Sequence, residues 1–312
     1  MSLSPSERGQ FYRQLAALAN AGVTPAASFR ALAREASIPG RRSILEHCSG
    51  AFERGAKMSA VLREAGLLPN THCAVVSAGE ESGNVVSVLR CMAELSEHEW
   101  RFRAHLAREL RTTKITMLVA TPMVALLFAD IMSGTSRGIA AAVLLILFAW
   151  AMFMQFLAAK VVDTPLRLQN LLQKTPFLRS IAEFIALSRL TRLISILYAS
   201  GIPPTRLLTL AASGCGNASI SARVLTAVQG VTAGRTYLQS LQEAAVLPSF
   251  ASAMLNTGEE TGNIDAAMAY AADHYQREAL DRVHRFNIVL GAVTLLIVGA
   301  LVGLIVAAGH GA

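Results

Sequence analysis

Apolar positions fall into two regimes along the chain. Over 1–114 and 160–287 they recur at helical spacing: Phe11, Leu15, Leu18 and Ala19 stand at i, i+4, i+7 and i+8, one face of an amphipathic helix. Gly22 can end that helix in the left-handed geometry that glycine adopts at little cost. Thr24 then suits the N-cap and Pro25 the first helical turn, where a missing N–H is no loss. Further breaks at Pro39-Gly40, Gly55, Gly66, Pro69 and Gly83-Asn84 cut the segment into about six short helices. No alternation of period two stands out, so the fold is expected to be all-α.

In the second regime apolar residues run on almost without interruption, at 115–132, 139–159 and 288–308. At 1.5 Å rise, each block of about 18–21 residues makes a helix of roughly 27–31 Å, the thickness of a bilayer's hydrocarbon layer. Only SGTSRG separates the first two, which predicts a tight antiparallel hairpin over 115–159. The pattern thus predicts a polytopic membrane protein with two helical bundles, 1–114 and 160–287, and three transmembrane helices, the third leading to a short tail at 309–312.

Charge orients these spans. Arg101, Arg103, Arg108, Arg111 and Lys114 precede the first, and Arg277, Arg282 and Arg285 precede the third. The hairpin turn holds only Arg137, and the tail none. The excess of Lys and Arg on one side predicts that both bundles are cytoplasmic and the C-terminus lies across the membrane. This placement accounts for the net charge of +7 without nucleic acid as a partner. Composition agrees: 53% hydrophobic against 16% charged residues, with four cysteines and no CxxC, excludes a disordered chain or a disulfide scaffold.

The two bundles are one unit written twice. Ala21-Gly22-Val23-Thr24-Pro25 recurs as Ser200-Gly201-Ile202-Pro203-Pro204, and Leu68-Pro69 as Leu247-Pro248. Gly79-Glu80-Glu81-Ser82-Gly83-Asn84 recurs as Gly258-Glu259-Glu260-Thr261-Gly262-Asn263. Residue 201 lies 179 after 22, as 248 does after 69 and 258 after 79, and Gly55 and Gly234 keep the same register. A single register held over so long a stretch marks a duplicated domain.

The GEE[ST]GN element is the sharpest local motif and admits two readings. In one it is a turn, Gly83 and Gly262 ending a helix while Asn84 and Asn263 cap the next through the side-chain oxygen. In the other, Glu80, Glu81, Glu259 and Glu260 present carboxylates to a partner or a divalent cation. Two carboxylates do not specify a hard-cation site, which needs six or more oxygens, so no metal is assigned.

Other chemistry is sparse. Glu97-His98-Glu99 is not HExxH, there is no GxxxxGK[ST] phosphate loop, and no GxSxG element appears. No catalytic residue and no cofactor is therefore expected, and the cysteines are expected as free thiols packed like small apolar groups. Within the spans Asp130 near an end is the one charge, which disfavours the alternative of a small transporter or channel subunit. Gly299 and Gly303 form a GxxxG, extended on one face by Gly291 and Ala307, and predict close helix packing there.

FYRQLAALANAGVTP at 11–25, together with the GEE[ST]GN element, resembles the repeat of the type II secretion system F family. The second copy fits more loosely, with Leu190-Thr191-Arg192 in place of Phe11-Tyr12-Arg13. The resemblance covers nearly the whole chain and implies an inner-membrane platform of a type II secretion or type IV pilus machine. It further implies a non-enzymatic homo-oligomer that meets a cytoplasmic hexameric ATPase, pilin or pseudopilin transmembrane helices and other inner-membrane assembly subunits. Typical members of that family carry several tens of residues ahead of the first repeat, whereas this sequence starts almost at the repeat, so partner contacts through such an extension are not among those the resemblance implies here.

Overall fold

The computed structural model describes residues 3–105, 107–108 and 176–309. Repeat 1 comprises α1 (Pro5–Asn20), α2 (Pro25–Glu35), α3 (Pro39–Glu53), α4 (Met58–Glu64), α5 (Asn70–Glu81) and α6 (85–105). Repeat 2 comprises α7 (Pro176–Ala199), α8 (Pro204–Gly214), α9 (Ala218–Thr232), α10 (Tyr237–Glu243), α11 (Ser249–Thr261) and α12 (Ile264–Gly309). The described residues are thus all-helical, six helices to a repeat. The expected spans at 115–132 and 139–159 lie outside them.

The helix boundaries follow from the punctuation. Gly22 takes φ +75° just after α1, and Thr24 accepts a hydrogen bond from Ala27 N as the N-cap of α2, with Pro25 in its first turn. Ser4 and Glu7 close a reciprocal capping box on α1. Hydrogen bonds donated by the Ser4 amide, then by its hydroxyl, hold the Glu7 carboxyl below its ordinary range. Phe11 and Leu15 are buried as the spacing predicts, while Leu18 and Ala19 are half-buried.

Contacts divide the chain into two compact units. The first, Met1–Phe102 with Glu183–Gln276, holds the bulk of both repeats. Its core repeats in register: Leu15 and Ile194, Phe29 and Leu208, Leu62 and Leu241, Leu89 and Met268 are all at most 2% exposed. Each pair is separated by the 179 residues of the sequence repeat. Burying one such side chain is worth about 1.5–3 kcal/mol, so the shared register is also a shared set of stabilising contacts. In repeat 1 Phe29 further meets Phe11 edge-to-face and Phe52 at a tilt, with ring centroids 5.9 and 4.8 Å away.

The second unit is Arg103–Ala182 with Arg277–Ala312. Within it Arg282 Nη1 donates to Ser180 Oγ at 2.6 Å. Four large apolar side chains there, Ile288, Val289, Val293 and Leu296, are between 37% and 73% exposed. The backbone over 288–308 is helical, inside the 46-residue α12. Among the described residues no helix is long and apolar enough to cross a membrane.

Candidate functional site

The two glutamates of each GEE[ST]GN element part company. Glu80 turns inward from the end of α5 to the start of α4. There its carboxylate accepts from Met58 N at 2.5 Å, Ser59 N at 3.1 Å and Ser59 Oγ at 2.5 Å. Helix α4 has only seven residues and Lys57 at its N-cap, which supplies no side-chain acceptor. Glu80 provides what the local sequence lacks, and an anion also suits the positive end of the helix dipole. Glu259 repeats this in the second copy, accepting from Leu238 N of α10 at 3.0 Å, where Thr236 and Gln239 already form a capping box.

Glu81 and Glu260 turn outward and are exposed. Glu81 accepts from Ser77 Oγ at 3.1 Å and pairs with Arg206 of repeat 2 at 2.6 Å. Glu260 is held within its own helix by Asn256 Nδ2 at 2.7 Å. The inner glutamates thus serve helix starts inside the fold, while the outer ones stand at the surface.

The glycines do two jobs. Gly83 and Gly262 each take φ +73° at the corner, as expected of helix ends. Gly79 and Gly258 instead permit close helix approach. A Cβ on Gly79 would lie 2.8 Å from Val88 Cγ2, and one on Gly258 would lie 3.0 Å from Ala267 Cβ. Val88 and Ala267 stand in register, so α5 meets α6 as α11 meets α12.

One expectation fails. Asn84 and Asn263 do not cap through the side-chain oxygen. The Asn84 amide donates to Ser200 O of repeat 2 at 3.4 Å, and the Asn263 amide to Thr261 O at 3.3 Å. At both corners the backbone carbonyl instead begins the helix, accepting from Val88 N and Ala267 N. The physical reason is tertiary in repeat 1: a carbonyl of the other repeat lies within reach of the amide and competes with the cap.

The corner of repeat 1 is thus a junction between the repeats. Gly201, at φ +69°, leaves 3.4 Å between its missing Cβ and the Asn84 amide, while α5 packs on α8. The Cys91 side chain on α6 reaches Ser200, which is 2% exposed. His98 further along α6 faces Arg192 and Asp273; burial, then Arg192, lowers its pKa. None of these pairings was readable from spacing, though an arginine at 206 where repeat 1 has Ala27 was a signal of divergence.

A buried polar pair lies deeper in repeat 1. The Tyr12 hydroxyl is 3.0 Å from His72 Nδ1. Burial holds the phenol protonated well above its ordinary pKa and pushes the imidazole down to about 4. In repeat 2 the register places Thr191 and Ala251 at these positions, and the Tyr275 hydroxyl accepts from Ala251 N at 3.2 Å. A tyrosine serves both copies from a different helix in each.

The four cysteines are free thiols, three buried and Cys91 half-buried; burial raises the Cys48 thiol to about 11, far from a reactive thiolate. Among the described residues no three metal-ligating side chains stand together. Nothing lies within 4 Å of where a Gly291 Cβ would be. The surroundings of Gly299 and Gly303 lie outside the described residues.

The fold and its corners define a duplicated all-helical module, each copy ending in the same glycine–glutamate turn. A profile described as type II secretion system protein F matches residues 11–133 and 190–309, two stretches whose starts are 179 residues apart. The chain belongs to that family. It is 25% identical to the type IV pilus assembly protein PilC of Thermus thermophilus, over 95% of this chain and 79% of the relative. It is 24% identical to the type II secretion system protein F of Aeromonas hydrophila, over 97% and 83%. With PilC of Pseudomonas aeruginosa the identity is 22%, over 96% and 87%.

Proposed function

We propose that this protein is the inner-membrane platform of a type II secretion or type IV pilus-type machine. It is a scaffold and coupler, not a catalyst: a cytoplasmic ATPase does work on it, and it passes that work to pilin or pseudopilin helices in the bilayer. The observation that carries this reading is the agreement of three registers, since sequence repeat, buried core and family match all recur at 179 residues.

In this reading the spans are 115–132, 139–159 and 288–308, both repeats are cytoplasmic, and the C-terminus is periplasmic. The hydropathy blocks and flanking arginines support that topology. So do the exposed apolar side chains from Ile288 to Leu296, which have the character of a lipid-facing surface. The repeats share one packed unit, and a rigid body is what a motor needs to push against. Helix α12 carries Ile264 of the repeat 2 core and the third apolar block in one element, a direct route for displacement. The protein acts as a homo-oligomer with other inner-membrane subunits and uses no cofactor.

Crosslinking in native membranes, followed by identification of the captured proteins, tests this. Capture of a secretion ATPase and of pilin-like subunits is the expected result. Capture of neither, with the protein abundant and folded, contradicts it.

A further inference from the structure

The two repeats offer a comparison inside one molecule. In repeat 1 the closing corner, Glu81 to Asn84, is bonded to repeat 2: Asn84 donates to Ser200 O of its opening turn, and Glu81 pairs with Arg206 of the helix that follows. Both corners are exposed, but that of repeat 2, Glu260 to Asn263, is bonded only within its own repeat. The opening turn of repeat 1 is the matching half: Ala21 is exposed, whereas Ser200, its counterpart in register, is 2% exposed. No packing like that of α5 on α8 joins α11 to α2. The junction is therefore one-way, and each chain carries one unfilled corner and one unused opening turn.

We infer that a second copy of this chain docks here, the opening turn of its repeat 1 seated on the closing corner of repeat 2. The occupant follows from continuity with the junction already present within the chain, which shows what such a corner accepts. The key polar contact survives the change of partner, because Asn84 donates to a backbone carbonyl. Asn263 can make the same bond to the Ala21 carbonyl whatever its side chain.

Two differences give the intermolecular junction its own character. Arg206 is replaced in register by Ala27, so the ion pair with the outer glutamate is absent. Cys91 is replaced in register by Tyr270, which is 56% exposed. Tyrosine offers a broad apolar face with a polar tip, the kind of side chain that anchors interfaces. The second junction exchanges charge for aromatic contact, so it is expected to resist salt. A one-way contact of this kind makes a head-to-tail assembly, which closes into a ring when the rotation permits. The inference rests on the geometry of the repeats and not on the platform role.

Full-length protein with Cys91→Ser, reconstituted in liposomes, provides the test. Ala21→Cys is introduced in one tagged chain and Asn263→Cys in another, the two are coexpressed, and the membranes are oxidised. The expected result is a disulfide-linked pair carrying both tags, with neither single variant linking to itself. Tyr270→Asp, at an exposed position, is expected to cut the linked fraction about tenfold, the equivalent of about 1.4 kcal/mol. Asn84→Cys with Ser200→Cys in one chain is the positive control, read as loss of free thiol. Self-linking of the Asn263→Cys chain alone shows a symmetric contact and overturns the inference. So does the absence of any linked pair when the control oxidises. Neither failure bears on capture of the ATPase or of pilin, which tests the platform role separately.

Discussion

Glu80 and Ser59 are joined twice, the carboxylate accepting from both the amide and the hydroxyl of a residue 21 positions earlier in the chain. A carboxylate placed so is part of the fold of α4. Replacing Glu80 by alanine leaves two amides at the helix start without their acceptor, and we expect a loss of about 2 kcal/mol. Glu81, in a pair with Arg206 that is about half exposed, is expected to cost less than about 1 kcal/mol. Thermal unfolding of the two variants in detergent separates the inner from the outer glutamate.

The approach of α5 to α6 gives a second test. Gly79→Ala places a methyl 2.8 Å from Val88 Cγ2, in a core position where Val88 is 1% exposed. A loss of about 1–3 kcal/mol is expected, as for other overpacked cores. Adding Val88→Ala makes room, so the double variant should be more stable than the sum of the two single losses allows, in a double-mutant cycle.

Ala245 is a non-glycine residue at φ +49°, and the register sets it opposite Gly66 at φ +62°. The left-handed region costs an alanine about 1–2 kcal/mol. Glycine gives back part of that through the freedom it adds to the unfolded chain. Ala245→Gly is expected to raise the melting temperature slightly, and Gly66→Ala to lower it.

The buried His72 gives the fold a pH dependence with a definite sign. Its pKa falls from the ordinary 6.5 to about 4 because burial penalises the imidazolium. The folded state holds it neutral, so stability is intact above about pH 6.5 and is lost as pH falls toward 4, where the unfolded chain takes up the proton first. The full loss is about 3 kcal/mol. Denaturant titrations from pH 7 to 4 should show this decline, and His72→Asn should flatten it.

The fold was legible where residues act locally. Gly22, Thr24 and Pro25 mark a helix end and the next start by their own backbone preferences, and the structure follows them. Duplication was legible because the same turn chemistry had to be written twice. The site was half legible. Gly83 and Gly262 acted as local turn residues, but Glu80 serves a helix start 22 positions away that carries no signal of needing it beyond the uncapped Lys57. Asn84 misled for the converse reason: its capping preference is real, yet a carbonyl from the other repeat took the amide. Tertiary partners of this kind leave no trace in spacing.

The most direct measurement of the proposed role is filament assembly or secretion in a strain lacking this protein, with the ATPase and the pilin-like subunits at normal levels. Assembly should stop, with subunits accumulating in the inner membrane, and return when the intact chain is supplied. Assembly that continues undiminished in its absence would contradict the platform role.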